Sequence, residues 1–223
     1  MIQMQQLKFS YPQSPFRLSI PELEVKDAEK VAVVGPSGCG KTTLLNLISG
    51  ILIPEQGTLI SCGIDLKTLN DSQRRAYRIS KVGFVFQEFE LIDYLNVYEN
   101  ILLPYFINST LQLDEGVQQR ARELATSMQI DSYFNSRIDR ISQGERQRVA
   151  ICRALLPQPQ ILLADEPTGN LDPTNKRLIR DLLLEHATKT NATLIMVTHD
   201  DRLLDQFERT IDIERFHEMV ETA

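Results

Sequence analysis

The stretch best suited to chemistry is Gly35-Pro36-Ser37-Gly38-Cys39-Gly40-Lys41-Thr42, which matches the pattern G-x-x-x-x-G-K-[ST]. Its glycines let the backbone come close to a phosphate and turn N–H groups toward it. Lys41 would reach the β- and γ-phosphates of a nucleotide, and the Thr42 hydroxyl would be a ligand for Mg²⁺. A helix from Thr42 to about Ser49, with Thr43 in its first turn, would point its positive end at the anion. Cys39 inside the loop has two readings, a small residue that fits or a redox-sensitive thiol. Far along the chain stand the adjacent carboxylates Asp165 and Glu166, and then His199. Asp165 ends an apolar run and fits a magnesium ligand, direct or through water. Glu166 would orient and polarise an attacking water. In an extended segment the two side chains point to opposite sides, so the two acids take different jobs. His199 would contact the γ-phosphate or the water.

These residues need elements to bring them together. Short apolar runs recur at Val31–Val34, Val82–Phe86, Ile161–Ala164 and Thr193–Val197. They lack polar alternation, as strands buried on both faces do. Helical periodicity lies between them: Val117, Ala121, Leu124, Ala125 and Met128 share one face, and Leu178, Ile179, Leu182 and Leu183 another. Strands alternating with helices imply an α/β fold with a largely parallel sheet. Gly35, Gln87, Asp165-Glu166 and Thr198-His199 each follow one of the four runs, so polar residues arrive at one carboxyl edge of the sheet, where open α/β sheets bind ligands. The N-terminal part, through about Gly63, is turn-bounded and β-rich, and the stretch from about Glu88 to Asp139 is mainly helical.

The chain has 223 residues, 42% hydrophobic and 24% charged, enough for one domain with a substantial core. A net charge of −6 argues against a nucleic-acid partner. No apolar run approaches the ~18–20 residues that span a bilayer, and the first residues do not form a secretory signal. Cytoplasmic residence is expected, with membrane association only through a partner. Cys39, Cys62 and Cys152 have no metal-ligand spacing and are expected to be reduced thiols.

In chain order stand the phosphate loop, Gln87, Ile141-Ser142-Gln143-Gly144-Glu145, Ile161 to Glu166, Asn170-Leu171-Asp172 and His199. This order resembles the ATP-binding cassette (ABC) ATPases over nearly the whole chain, as their Walker A, Q-loop, signature, Walker B, D-loop and H-switch. The resemblance implies a P-loop NTPase (RecA-like) fold in a single ATP-binding domain, 1–223. A mostly parallel core (about 1–87 and 140–223) would carry an N-terminal antiparallel β subdomain and an inserted helical subdomain (about 88–139). It implies that ATP and Mg²⁺ are bound, that Gln87 joins Thr42 and Asp165 at the metal, and that Lys41, Gln87, Glu166 and His199 take part in hydrolysis. Tyr11 matches the aromatic that stacks on adenine, with core packing as the plain alternative. Ser142-Gln143-Gly144-Glu145 also reads as a capping box at a helix start. By resemblance that helix end meets the γ-phosphate held by a second copy, ATP being sandwiched head to tail, with Asp172 at the seam, although Asp172-Pro173 is equally an N-cap pair.

The resemblance further implies integral membrane permease subunits as partners and a place on the cytoplasmic side of the inner membrane. The segment from Phe86-Gln87-Glu88 to Pro104 and the stretch Ala164 to Asp172 look like the branch serving lipoprotein release, macrolide or peptide efflux, and cell division. Phe89, Leu91, Ile92, Tyr94 and Leu95 form a candidate membrane-partner surface, internal packing being the alternative. The family's signature is L-S-G-G-Q, so Gln143 and Glu145 depart from it, and Gln143 is expected to weaken ATP-driven dimerisation. A regulatory scaffold that hydrolyses little is the alternative function. A soluble DNA-repair relative fits poorly, because the Lys41 to Ser142 interval holds no long coiled coil.

Overall fold

Two sheets and the helices against them divide the apolar residues into two cores. The computed structural model describes residues 1–169 and 171–218. Asn170 of the expected D-loop lies outside them. The strands are β1 (Ile2–Ser10), β2 (Arg17–Val25), β3 (Lys30–Val34), β4 (Gln56–Ser61), β5 (Ile64–Asp65), β6 (Val82–Val85), β7 (Ile161–Asp165), β8 (Thr193–Val197), β9 (Arg209–Asp212) and β10 (His217–Glu218). The helices are α1 (Lys41–Ile48), α2 (Asp71–Lys81), α3 (Val97–Ile107), α4 (Glu115–Ser127), α5 (Gln143–Leu155) and α6 (Pro173–Thr190).

One sheet, in the order β6-β7-β8-β3-β9, is parallel throughout. The four apolar runs form β3, β6, β7 and β8, and β9 adds a fifth strand at the edge opposite β6. All five residues of β7 are buried. Ile161 and Leu163 enter one core, Leu162 and Ala164 the other. Successive side chains of a strand face opposite sides, so a strand between two cores must be apolar at every position.

The register aligns the carboxyl ends. Val85 pairs with Ala164, while Val197 pairs with Asp165 on one side and Val33 on the other. Beyond the ladder the Glu166 amide donates to the Val197 carbonyl and the Thr198 amide to that of Val33. The segments leaving β3, β6, β7 and β8 therefore emerge along one edge, as the sequence implies.

The other sheet, in the order β10-β2-β1-β4-β5, is antiparallel. Its inner residues Met4, Leu7 and Ile20 share a core with Leu44, Leu45 and Leu47 of α1. Each such buried side chain contributes about 1.5–3 kcal/mol. This core fixes α1, and with it the phosphate loop, between the sheets. The second core joins α3, α4, α5 and α6 to the opposite face of the parallel sheet through Ile101, Ala121, Val149 and Leu183. Helix α5 packs on both α3 and β6.

One helix face differs from the sequence reading. On α6, Ile179 and Leu183 are buried but Leu178 is 47% exposed. At ~100° per residue, Leu178 stands one position off the buried stripe.

Candidate functional site

The phosphate loop leaves β3 through three glycines in the left-handed region, Gly35 (φ 145°), Gly38 (φ 82°) and Gly40 (φ 105°). At Gly38 a side chain would meet no atom within 4 Å, so the backbone conformation alone asks for glycine there. Gly40 is the N-cap of α1, which has no side-chain cap and no acidic residue in its first turn. The N–H groups at this helix end stay available to an anion. Lys41 is buried, and its Nζ donates to the carbonyls of Gly35 (2.9 Å) and Pro36 (2.8 Å). An ammonium has three donors, so one remains for the cleft.

That cleft has a volume of about 480 Å³, within the range of about 300–1,000 Å³ typical of small-molecule sites. Tyr11, Ser37, Gly38, Gly40, Lys41, Thr42, Thr43, Gln87 and Glu166 all line it, with Phe16, which the sequence reading missed. The Tyr11 ring is fixed edge-on to Phe9 (centroids 4.8 Å apart) and beside Phe16 (5.6 Å), and its hydroxyl is 3.0 Å from Thr43 Oγ1. Cys39 is buried, and burial raises its thiol pKa despite the opposing charge of Lys41. Such a thiol resists forming thiolate, which accords with the packing reading rather than the redox one.

Thr42 Oγ1 donates to Asp165 Oδ2 at 2.7 Å. Asp165 is 6% exposed. Burial raises its carboxyl pKa and nearby Glu166 adds to this, while the Thr42 bond and Lys41 oppose it. Paired hard oxygen donors, one a desolvated carboxylate, suit Mg²⁺, which takes few protein ligands and keeps several waters.

Glu166 departs from the extended conformation expected of it: its φ is 43°. A left-handed backbone costs a non-glycine residue roughly 1–2 kcal/mol, and such strain gathers at functional positions. The turn separates the two acids as thoroughly as strand alternation would. Asp165 points to Thr42, whereas Glu166 Oε2 sits 3.1 Å from His199 Nδ1. The histidine side chain is 56% exposed and that of Glu166 is 20% exposed.

Ser142 forms the expected capping box. Its hydroxyl accepts from the Glu145 amide at 3.3 Å, and the Glu145 carboxylate accepts from the Ser142 amide at 2.6 Å. Burial tends to raise the Glu145 pKa, but the bonds from Ser142 and Tyr133 outweigh it and hold the carboxyl below its usual value. Gln143 is exposed at the helix start. At Gly144 a Cβ would approach only the Arg148 guanidinium, at 4.0 Å. Nothing in the fold of one chain requires glycine here. None of Ser142, Gln143, Gly144 and Glu145 lines the cleft of the same chain, nor does Asp172, whose carboxylate caps α6 through the amides of Thr174 and Asn175.

The turn after Gln87 carries two consecutive non-glycine residues in the left-handed region, Phe89 (φ 63°) and Glu90 (φ 49°). Each costs roughly 1–2 kcal/mol. Just beyond, Leu91 packs on the helical core, so internal packing accounts for it, while Tyr94 is 81% exposed. An apolar groove of about 410 Å³ opens instead beside β6. Ile51, Phe84, Phe86, Leu103 and Ile107 line it, with Arg75, Arg78 and Arg153 at its polar positions.

Residues 18–169, more than half of the chain, match the protein family described as ABC transporter. An ABC transporter ATP-binding protein of Bacillus subtilis, YvcR, is 43% identical over 82% of this chain and 70% of its own length. The lipoprotein-releasing system ATP-binding protein LolD 1 of Rhodopirellula baltica is 38% identical over 96% of this chain and 93% of its own. The ATP-binding cassette MJ0796, solved as a dimer in a post-hydrolysis state bound to ADP and Pi, superposes over 100% of both chains with a TM-score of 0.87 at 30% identity.

Proposed function

The chain belongs to the ABC transporter family, whose ATP-binding subunits hydrolyse ATP, and from that premise we propose that it is an ATPase subunit whose active site is completed by a second copy. ATP lies between the cleft of one copy and the α5 start of the other. The observation that carries this reading is a division within the chain. Lys41, Thr42, Gln87 and Glu166 line one cleft, with Asp165 bonded to Thr42 and His199 to Glu166, while Ser142–Glu145, a helix start with a glycine the fold does not need, stands outside it.

In this reading adenine stacks on Tyr11, whose ring is held by Phe9 and Phe16 before ligand arrives. The α1 amides and Lys41 hold the phosphates. Mg²⁺, held by Thr42 and Asp165 with Gln87, would neutralise charge on the β- and γ-phosphate oxygens. Glu166 orients a water against the γ-phosphorus and accepts its proton. The bond to the bridging oxygen of the β-phosphate breaks, and ADP and inorganic phosphate form. His199, 3.1 Å from Glu166, keeps that carboxylate aimed. The Lys41→Ala chain is expected to bind ATP about ten- to a hundredfold more weakly, the loss of one charge-assisted bond. Titration with a fluorescent ATP analogue measures this, and unchanged affinity would remove Lys41 from the site.

We further propose that the subunit works beneath integral membrane partners of the release or efflux type, as in lipoprotein release. Similarity to LolD 1 along nearly the whole chain supports this. Among the described residues no helix is long and apolar enough to cross a membrane. The groove beside β6 is the surface for these partners: apolar, open, and edged by Arg75 and Arg78, which suit an acidic side chain on the incoming segment. Ile107 is 67% exposed at its rim. Ile107→Asp is expected to leave nucleotide affinity within about twofold and to abolish co-purification with membrane subunits. Retained co-purification would move the contact elsewhere.

A further inference from the structure

The strained turn after Gln87 has a clamp. Arg153, on α5, is 9% exposed, and its guanidinium donates to both carbonyls of the turn, that of Phe89 at 2.5 Å and that of Glu90. Burial pushes its pKa down to about 10, partly offset by the Glu90 charge, so it stays a cation at neutral pH. Local bonds alone are tight: the Phe89 amide reaches the Phe86 carbonyl at 3.2 Å, and the Glu90 amide the Glu88 carbonyl at 2.7 Å. The planar fork meets the two successive carbonyls with two separate nitrogens, Nη1 for Glu90 and Nη2 for Phe89, and so fixes their relative orientation.

The clamp stands between three places. Gln87, just before the turn, lines the nucleotide cleft. Gly144, at the start of the same helix α5, lies about 14 Å along the axis from Arg153. Arg153 and Glu90 also line the apolar groove beside β6. We propose that Arg153 is a positioning residue for hydrolysis: by holding Phe89 and Glu90 in the left-handed turn it sets where Gln87 stands in the cleft. It thereby ties Gln87 rigidly to the helix that starts at Ser142 and to whatever occupies the groove. This rests on the ATPase reading above.

The test compares ATP turnover by the full chain carrying Arg153→Met, alone and together with Phe89→Gly and Glu90→Gly. Arg153→Met is expected to lower kcat at least about tenfold, with KM and Mg²⁺-free nucleotide affinity within about twofold. Glycine enters the left-handed region without steric cost. The triple variant is therefore expected to recover kcat to within about threefold of the parent chain. A residue that merely fills the core would not be rescued by glycines in another element. Arg153→Gln, which removes both the charge and the fork but stays polar, provides the same comparison if Arg153→Met does not fold. Wild-type kcat in the Arg153 variants, or no recovery in folded chains with the two glycines, would overturn the proposal. A parent chain that binds and hydrolyses no ATP would instead overturn the ATPase reading.

Discussion

The Glu166→Gln chain is expected to bind ATP as tightly as the parent and to hydrolyse it about a thousandfold more slowly, the loss typical of a removed general base. The substitution keeps the size and the hydrogen-bonding reach of the side chain but takes away the charge that accepts the proton. It leaves the binding elements alone. Lys41 is held by the Gly35 and Pro36 carbonyls, and Thr42 by Asp165, neither through Glu166. The amide can still meet His199, so the local turn keeps its partner. Single-turnover phosphate release together with nucleotide titration separates the two effects. Equal losses in affinity and rate would mean that Glu166 holds the nucleotide rather than activating water.

A second large effect is expected from a residue outside the cleft. Gly144→Asp should lower ATP turnover by a hundredfold or more, comparable to losing a preorganised anion donor. Affinity of a single chain for ATP should stay within about twofold. The fold accepts the change easily. The nearest atom to a Cβ at Gly144 is the Arg148 guanidinium at 4.0 Å, and an acidic residue in the first turn of a helix is favourable by about 0.3–1 kcal/mol. The melting temperature should therefore hold or rise while activity disappears. This combination is hard to produce unless the α5 start meets phosphate on another copy. Full turnover by Gly144→Asp would place the whole site within one chain.

Much of the parallel sheet was readable because β3, β6, β7 and β8 are buried on both faces, which forces continuous apolar runs. Strand β9 was not, because Arg209 and Thr210 are exposed at the sheet edge and leave no such run. In β1 the alternation breaks at a register shift between Gln5 and Lys8, where Gln6 turns to φ 46°. The phosphate loop, Gln87, Asp165, Glu166 and His199 stood out by type and by their places after the apolar runs, Tyr11 only through the family resemblance, and the structure brings them together. Their backbone conformations were not legible. Nothing in the residue types of Glu166, Phe89 or Glu90 announces a left-handed turn, since none is glycine or asparagine. Arg153 does carry a sequence signal: it is a cation between Ile151-Cys152 and Ala154-Leu155, in the buried run of α5. Buried charge needs partners, and the partners are the carbonyls of the turn.

Light scattering of the Glu166→Gln chain in Mg-ATP tests the central claim most directly. A site completed by a second copy predicts a particle of twice the chain mass of 25.5 kDa, falling back to one chain without ATP and never forming when Gly144→Asp is added. A particle that stays at 25.5 kDa with nucleotide bound would contradict the account.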